Sequence, residues 1–113
     1  MEARALLDAL NVAERLKDTT RHCYTKQGRH ESVAEHSWMM TLMAFFMKDE
    51  FPEVDMDKVI KMCIIHDLGE AFTGDIPTFE KTQENEKTEE KLLYAWVNTL
   101  PENYSAEMIA LYD

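Results

Sequence analysis

Long stretches without glycine or proline constrain this chain more than any other feature of its sequence. The 113 residues include only three Gly and three Pro, the residues that most often interrupt regular secondary structure. Eight Met and a hydrophobic content of 45% accompany them. This composition is typical of a helical globular chain, and not of a disordered or a turn-dense β protein. The sequence therefore predicts an all-α fold, and its length fits one domain with one core.

Apolar residues recur at helical spacing in five segments, which we interpret as five helices. These are residues 1–17, 32–48, 55–67 (starting at Asp55 or at Asp57), 84–98 and 105–113, with a loop at 18–29. Ser32 followed by Glu35 matches a capping box at the start of the second helix. Apolar side chains cover nearly its whole circumference, so we expect this helix to be buried and its methionines to pack in the core. The charged residues 84–91 are interpreted as a solvated face.

The charge balance limits the partners of the protein. Acidic residues outnumber basic ones by 22 to 12, which gives a formal charge of -10. Such a surface repels the phosphate backbones of DNA and RNA, so we expect neither as a partner. Two cysteines, no secretory signal and no membrane-spanning run predict a soluble cytoplasmic protein. A small phosphorylated ligand is still compatible with this negative charge, because a metal ion and one or two Arg can make the electrostatic potential positive at a local site.

Candidate metal ligands come from two predicted helices. His66 and Asp67 end the apolar third helix, where such a pair is by itself most often a helix end meeting water. His36 changes this interpretation, because it shares a helical stripe with Met39, Met40 and Met43 and is expected to face inward. Two imidazoles and one carboxylate suit Zn, Mn, Fe or Co and leave positions for water and substrate. Glu70 is placed to join them if the third helix continues.

Three motifs in this order carry a family resemblance. Glu35-His36-Ser37, His66-Asp67 and Gly74-Asp75-Ile76-Pro77 resemble the HD-domain metal-dependent phosphohydrolases, in particular the branch that includes the bacterial 5′-deoxynucleotidases. The resemblance implies a helical bundle around one divalent ion (Mn, Co, Fe, Zn or Mg), with His36, His66 and Asp67 as ligands. It implies Glu70 as the carboxylate that orients or deprotonates the attacking water. Asp75 matches an acidic residue of the substrate site, and Arg21 matches an arginine that clamps the substrate phosphate.

The chain departs from the family pattern at two points. The fourth metal ligand of the family is an Asp on a later helix, and we carry that role onto no residue, Asp113 included. We therefore expect residues 1–113 to form a single HD domain that lacks its C-terminal helix or helices. Second, His22 stands where the bacterial enzymes have a Trp that helps to exclude ribonucleotides, so a preference for deoxyribose does not follow from the resemblance.

Ordinary structural roles compete with several of these assignments. Glu70 is also a normal surface residue at a helix end, and Asp75 suits a plain turn. Arg21 is equally a loop residue paired with surface carboxylates. Cys63 is interpreted as a small core residue, with thiolate ligation as the minor alternative. His22 and His30 are interpreted as solvated.

The leading functional hypothesis is a 5′-nucleotidase that converts (deoxy)nucleoside monophosphates to nucleoside and phosphate. Hydrolysis of another phosphoester, such as a nucleoside triphosphate or a cyclic dinucleotide, is an alternative. A third hypothesis is a non-catalytic, metal-stabilised module that binds a nucleotide or a protein. Apolar excess on the first, second and fourth predicted helices suggests a homodimer.

Overall fold

The computed structural model describes residues 1–74 and 82–113, and within these ranges the protein is a bundle of helices with one two-stranded sheet. This confirms the predicted all-α class. The elements are α1 (Ala3–Ala13), a 3-10 turn (Glu14–Lys17), β1 (Thr20–Tyr24), β2 (His30–Ser32), α2 (Val33–Phe46), a second 3-10 turn (Lys48–Glu50), α3 (Met56–Ile65), α4 (Glu70–Thr73), α5 (Gln83–Val97) and α6 (Glu102–Tyr112). None of these helices combines the length and the apolar character that crossing a membrane would need.

The predicted loop at 18–29 is largely a β-hairpin. Strands β1 and β2 pair antiparallel, with Thr20 opposite Ser32 and Tyr24 opposite His30. Gly28 has a φ of 83° in the connecting turn, a conformation that glycine adopts without a steric penalty. The hairpin was missed because its strands are short and polar, so they show no alternation of apolar and polar residues.

Helix α2 begins where its capping signal predicts. The Ser32 hydroxyl accepts from the amide of Glu35 at 3.1 Å, and the Glu35 carboxylate accepts from the amide of Ser32 at 3.0 Å. The amide of Val33 donates to the carbonyl of Thr19 at 2.8 Å. Strand β2 therefore continues into α2 without a linker, and the hairpin is fixed relative to the helix.

The expectation that α2 is buried is wrong. The side chains of Trp38, Met39, Met43, Phe45 and Phe46 are exposed, Phe46 by 71%. Apolar residues around a whole helix predict burial only if other elements cover every face. In the described part of the chain, α3, β2 and the two 3-10 turns contact α2, and they leave these side chains uncovered.

Helices α2 and α3 form an antiparallel pair. Asp55 caps α3 by accepting from the amide of Lys58 at 3.3 Å, in agreement with the prediction. The end of α2 and the start of α3 line one open apolar groove, which we call the groove end of the pair (Met40, Met43, Met47, Met56, Val59 and Cys63). The methionines were predicted to pack in the core, and this is wrong because they lie along the groove.

The core lies beneath the opposite end of this pair. It comprises Leu16, Val33, Leu68, Leu93 and Val97, and thus joins the first 3-10 turn, α2, the segment after α3, and α5. Val33 and Val97 are 0% exposed. Helix α6 packs against this core through Met108, Ile109 and Tyr112. It begins at Glu102, earlier than the predicted Ser105, because Pro101 supplies a preset backbone at the helix start.

Candidate metal centre

The predicted ligands lie at one end of the α2–α3 pair. His36 precedes Met40 by one helical turn, and His66 and Asp67 follow Cys63 by one turn. Met40 and Cys63 line the same groove across the antiparallel pair. One further turn along each helix, towards the start of α2 and past the end of α3, leads to His36 and to the His66-Asp67 segment, which therefore lie at the same end of the pair. We call this the site end, and it is the end that overlies the core.

His66 and Asp67 contact one another directly. Nδ1 of His66 lies 2.8 Å from Oδ1 of Asp67, and the two side chains are 60% and 17% exposed. In a neutral imidazole, an Nδ1–H that donates to the carboxylate leaves the lone pair on Nε2. Nε2 of His66 then faces away from Asp67, so the two residues can bind one ion together only after this contact opens.

His36 is more shielded and contacts a different carboxylate. Its Nδ1 lies 3.7 Å from Oε1 of Glu31, and these side chains are 27% and 25% exposed. Within residues 1–74 and 82–113, no three His, Cys, Asp or Glu side chains are grouped closely enough to hold a metal. The structure thus pairs His66 with Asp67 and His36 with Glu31, but it does not gather the three predicted ligands into one formed cluster.

The donor set nevertheless fits a divalent metal chemically. Two imidazoles and one carboxylate are the donors that Zn, Mn, Fe and Co share. Nδ1 of His36 lies near Glu31, a carboxylate outside the predicted ligand set, and such a neighbour favours the tautomer in which Nε2 binds a metal. Mg fits less well, because it prefers oxygen ligands.

Arg21 belongs to the hairpin beside this end. Its Nη1 donates to Oε1 of Glu31 at 2.7 Å. The ordinary alternative, an arginine paired with a carboxylate, therefore describes one of its contacts. A guanidinium carries five N–H donors, so this pair is compatible with a further role for Arg21 towards a phosphate.

Comparisons with known proteins identify the family of the chain. The family model described as HD domain matches residues 13–113. The chain belongs to the HD domain family. Human 5′-deoxynucleotidase HDDC2 is 30% identical over 115 residues, which cover 98% of this chain and 55% of that protein. The Dictyostelium discoideum protein of the same name is 28% identical over 117 residues, which cover 95% of this chain and 62% of that protein.

A solved structure is similar as well. A protein from Magnetospirillum magnetotacticum MS-1, titled a predicted metal-dependent phosphohydrolase, superposes with a TM-score of 0.84 at 29% identity. The match covers 96% of this chain and 57% of that one, so the HD domain chain spans a little over half the length of the relatives it matches. This neighbour and the family together indicate a divalent metal ion as the cofactor.

Glu70 begins the short helix α4 and does not lie on a continued third helix. Helix α3 of the HD domain ends at Ile65, and α4 begins at Glu70. The amide of Leu68 donates to the carbonyl of Ile65 at 3.1 Å, and the amide of Glu70 donates to that of Asp67 at 3.0 Å. These tight turns keep Glu70 close to Asp67 along the backbone. Asp75 lies outside the described residues.

Sequence reasoning missed Tyr112, which supports the His66-Asp67 segment of the HD domain. Its hydroxyl donates to the carbonyl of Ile65 at 2.7 Å. Burial raises the pKa of Tyr112, and the nearby Tyr94 and Asp67 raise it further, so the phenol stays neutral and keeps donating near pH 7. An aromatic residue on the apolar face of a helix is an ordinary core signal, and nothing in its spacing indicates this partner.

Glu89 was also missed, because residues 84–91 were interpreted as solvated. Its Oε1 accepts from the hydroxyl of Thr73 at 2.8 Å, and its side chain covers Gly69. A Cβ placed on Gly69 would lie 2.9 Å from Cγ of Glu89. The solvated interpretation is thus wrong for Glu89, which packs over the turn between Asp67 and Glu70.

Proposed function

We propose that this HD domain is the metal-binding part of a 5′-nucleotidase that hydrolyses (deoxy)nucleoside monophosphates to nucleoside and inorganic phosphate. The observation that carries the proposal is that His36 and the His66-Asp67 pair belong to the same end of α2 and α3, and that Glu31 contacts both His36 and Arg21. The relatives matched along nearly the whole chain are named 5′-deoxynucleotidases, which supports the choice of substrate class.

In this proposal His36, His66 and Asp67 hold one divalent ion. When bound, such an ion lowers the pKa of water toward ~7 and polarises a phosphoryl oxygen. Asp67 contributes the negative charge of the set, and the two imidazoles bind through Nε2. The exposure of His66 leaves this end open to a ligand from solution.

Arg21 binds the non-reacting oxygens of the phosphate. A planar guanidinium gives bidentate hydrogen bonds to such oxygens. The pair with Glu31 holds the side chain at the edge of the hairpin, so less conformational freedom is lost when phosphate binds. With a formal charge of -10 on the chain, a local cation is needed to attract a phosphate monoester.

Glu70 orients the attacking water or accepts its proton, and Asp75 contributes to the substrate site. Glu70 follows Asp67 by one backbone turn, which keeps the two residues close to one another. A carboxylate in that position is a suitable general base once it lies within hydrogen-bond reach of the water.

The assembly belongs to the same proposal. We infer that residues 1–113 form a single cytoplasmic HD domain that associates as a homodimer. Exposed apolar side chains on α1 and α2, among them Leu7, Trp38 and Phe46, support the homodimer, since large apolar patches commonly mark interfaces.

Phosphate release tests the function. The protein, loaded with Mn²⁺ or Co²⁺, is incubated with a panel of ribo- and deoxyribonucleoside monophosphates, a nucleoside triphosphate and a cyclic dinucleotide. We expect release from the monophosphates. Release from only the other esters would reassign the substrate, and no release from metal-loaded protein would favour a binding module.

The variant Arg21→Ala tests the phosphate contact. We expect KM for a monophosphate to rise by about tenfold or more, while Co²⁺ affinity changes little, because Arg21 contacts the substrate and not the metal. Arg29→Ala is the matched control, since Arg29 lies in the same hairpin and pairs with Glu35 of α2. Equal KM values for the parent and Arg21→Ala would remove Arg21 from the site.

A further inference from the structure

One carboxylate at the site end contacts both a candidate metal ligand and the candidate phosphate clamp. Oε1 of Glu31 accepts from Nη1 of Arg21 at 2.7 Å, and the same oxygen lies 3.7 Å from Nδ1 of His36. All three side chains are only about a quarter exposed. Charges in such a place are screened less by water than charges on an open surface.

We propose that Glu31 is a positioning residue that fixes the Arg21 guanidinium and the His36 imidazole relative to one another. The inference rests on the proposed function, because it needs His36 to bind a metal and Arg21 to bind a phosphate. Glu31 itself touches neither ligand. It acts by limiting the orientations of the two side chains that do.

The contact with His36 has a known physical consequence. An imidazole that binds a metal through Nε2 carries its proton on Nδ1, and a carboxylate beside Nδ1 fixes the orientation of the ring. The distance of 3.7 Å exceeds that of a hydrogen bond, so the present contact is electrostatic. A small rotation of either side chain converts it into a hydrogen bond when Nε2 binds a cation.

The backbone makes Glu31 suited to this role. Glu31 lies in β2, which pairs with the strand that carries Arg21 and continues directly into the helix that carries His36. The amide of Val33 donates to the carbonyl of Thr19, and Ser32 caps α2. Arg21, Glu31 and His36 are therefore attached to one hydrogen-bonded backbone unit, formed by the hairpin and the start of α2. Within this unit the Glu31 side chain contacts the other two.

A neighbouring ion pair provides a matched control. Arg29 donates to both oxygens of Glu35, at 2.8 and 2.7 Å, and this pairing holds the pKa of Glu35 well below its usual range. It joins the same hairpin to the same helix. A Gln at position 35 still completes the capping box, so Glu35→Gln removes an ion pair of the junction without removing the helix cap.

The first measurement is the affinity of the metal-free protein for Co²⁺, with no substrate present. We expect Glu31→Gln to weaken Co²⁺ binding by roughly tenfold, the low end of the loss seen when a carboxylate behind a ligating His is removed. Glu35→Gln is expected to stay within about twofold of the parent. Urea unfolding of each variant checks that both are folded.

The second measurement is the binding of inorganic phosphate to the Co²⁺-saturated protein, in a double-mutant cycle with Arg21→Ala. We expect Glu31→Gln to weaken phosphate binding several-fold when Arg21 is present and to have no effect when it is absent. A carboxylate that only competes with phosphate for the guanidinium would have the opposite sign, since its removal would tighten binding.

The outcomes separate this inference from the proposed function. If no monophosphate is hydrolysed but Glu31→Gln weakens both Co²⁺ and phosphate binding, the positioning role stands and the function is wrong. If monophosphates are hydrolysed but Glu31→Gln behaves like Glu35→Gln, the function stands and the positioning role is wrong. Tighter phosphate binding by Glu31→Gln, or a parent protein without affinity for Co²⁺, also overturns the inference.

Discussion

The two ends of the α2–α3 pair belong to the same two helices, yet they differ in the polarity and the pairing of their side chains. At the site end, polar side chains are paired: Arg21 with Glu31, and His66 with Asp67. Core residues adjoin them in the sequence, since Leu68 directly follows Asp67. At the groove end, the lining side chains are apolar and open to solvent, as at Met43 and Met47.

This difference shows where the fold restricts side-chain positions and where it does not. A charged group that is partly buried must keep its partner, because an unpaired one costs several kcal/mol. An exposed methionine has no such requirement, and its flexible side chain tolerates many neighbours. The site end is thus suited to hold a ligand in one geometry, and the groove end is suited to an adaptable apolar contact.

Removing a metal ligand is expected to have the largest effect. His66→Ala and Asp67→Ala should each abolish metal binding, because a divalent ion loses a donor that cannot be replaced at that position. Elemental analysis of the purified variants measures this. Cys63→Ala is the control at the groove end, one turn before His66, and should keep the metal content of the parent.

Two outcomes would contradict the assignment of metal binding to the site end alone. Metal content equal to the parent in Asp67→Ala would refute the ligand assignment. Loss of metal in Cys63→Ala would extend the centre into the groove and make thiolate ligation the correct interpretation of Cys63.

Substitutions in the core are expected to have the second-largest effect, and they allow the packing at the two ends to be compared. Leu93→Ala should lower the free energy of unfolding by about 2–5 kcal/mol, because Leu93 is in the core and its truncation leaves a cavity. Met43→Ala at the groove end should change it by about 0.5 kcal/mol or less. Leu92, exposed on the same helix, gives the matched control Leu92→Ala. Urea unfolding that showed equal losses for Leu93 and Met43 would contradict the comparison.

Local signals explain which parts of the fold could be predicted. The start of α2 follows from Ser32 and Glu35, because a capping box uses residues close in sequence, and α3 likewise follows from Asp55 and its apolar period. The hairpin depends on pairing between Thr20 and Ser32, and this pairing gives no periodic pattern of apolar residues in the local sequence. The exposure of Phe46 depends on which faces other elements cover, and this is a property of the tertiary fold.

The candidate site divides in the same way. His36, His66 and Asp67 were predicted as ligands from residue type and from a family resemblance, and their role stays a prediction. Glu31, Tyr112 and Glu89 could not have been predicted, because each acts through a contact between segments distant in sequence or across strands. A charged or aromatic residue at ordinary helical or strand spacing gives no sign of such a partner.

A substitution in the turn at the site end has a smaller expected effect than a core cavity. Gly69→Ala should lower the free energy of unfolding by about 1–2 kcal/mol, because its Cβ would lie 2.9 Å from Cγ of Glu89. The φ of Gly69 is -58°, which any residue adopts, so the cost comes from this contact alone. In a Glu89→Ala background the cost of Gly69→Ala should disappear. An unchanged cost there would mean that Glu89 does not restrict the turn.

The smallest expected effect concerns the hydroxyl that supports the His66-Asp67 segment. Tyr112→Phe removes the hydrogen bond to the carbonyl of Ile65 and should lower the free energy of unfolding by about 1 kcal/mol. Tyr94→Phe is the control, since the hydroxyl of Tyr94 donates to Asp113 in an exposed position, where the loss should be a few tenths of a kcal/mol. Because Ile65 directly precedes His66, Tyr112→Phe should also weaken Co²⁺ binding, by about two- to threefold, whereas Tyr94→Phe should leave it unchanged. A loss of stability without any change in Co²⁺ affinity would show that the ligand segment keeps its geometry without Tyr112, and the paired polar contacts of the site end would then be sufficient to hold it.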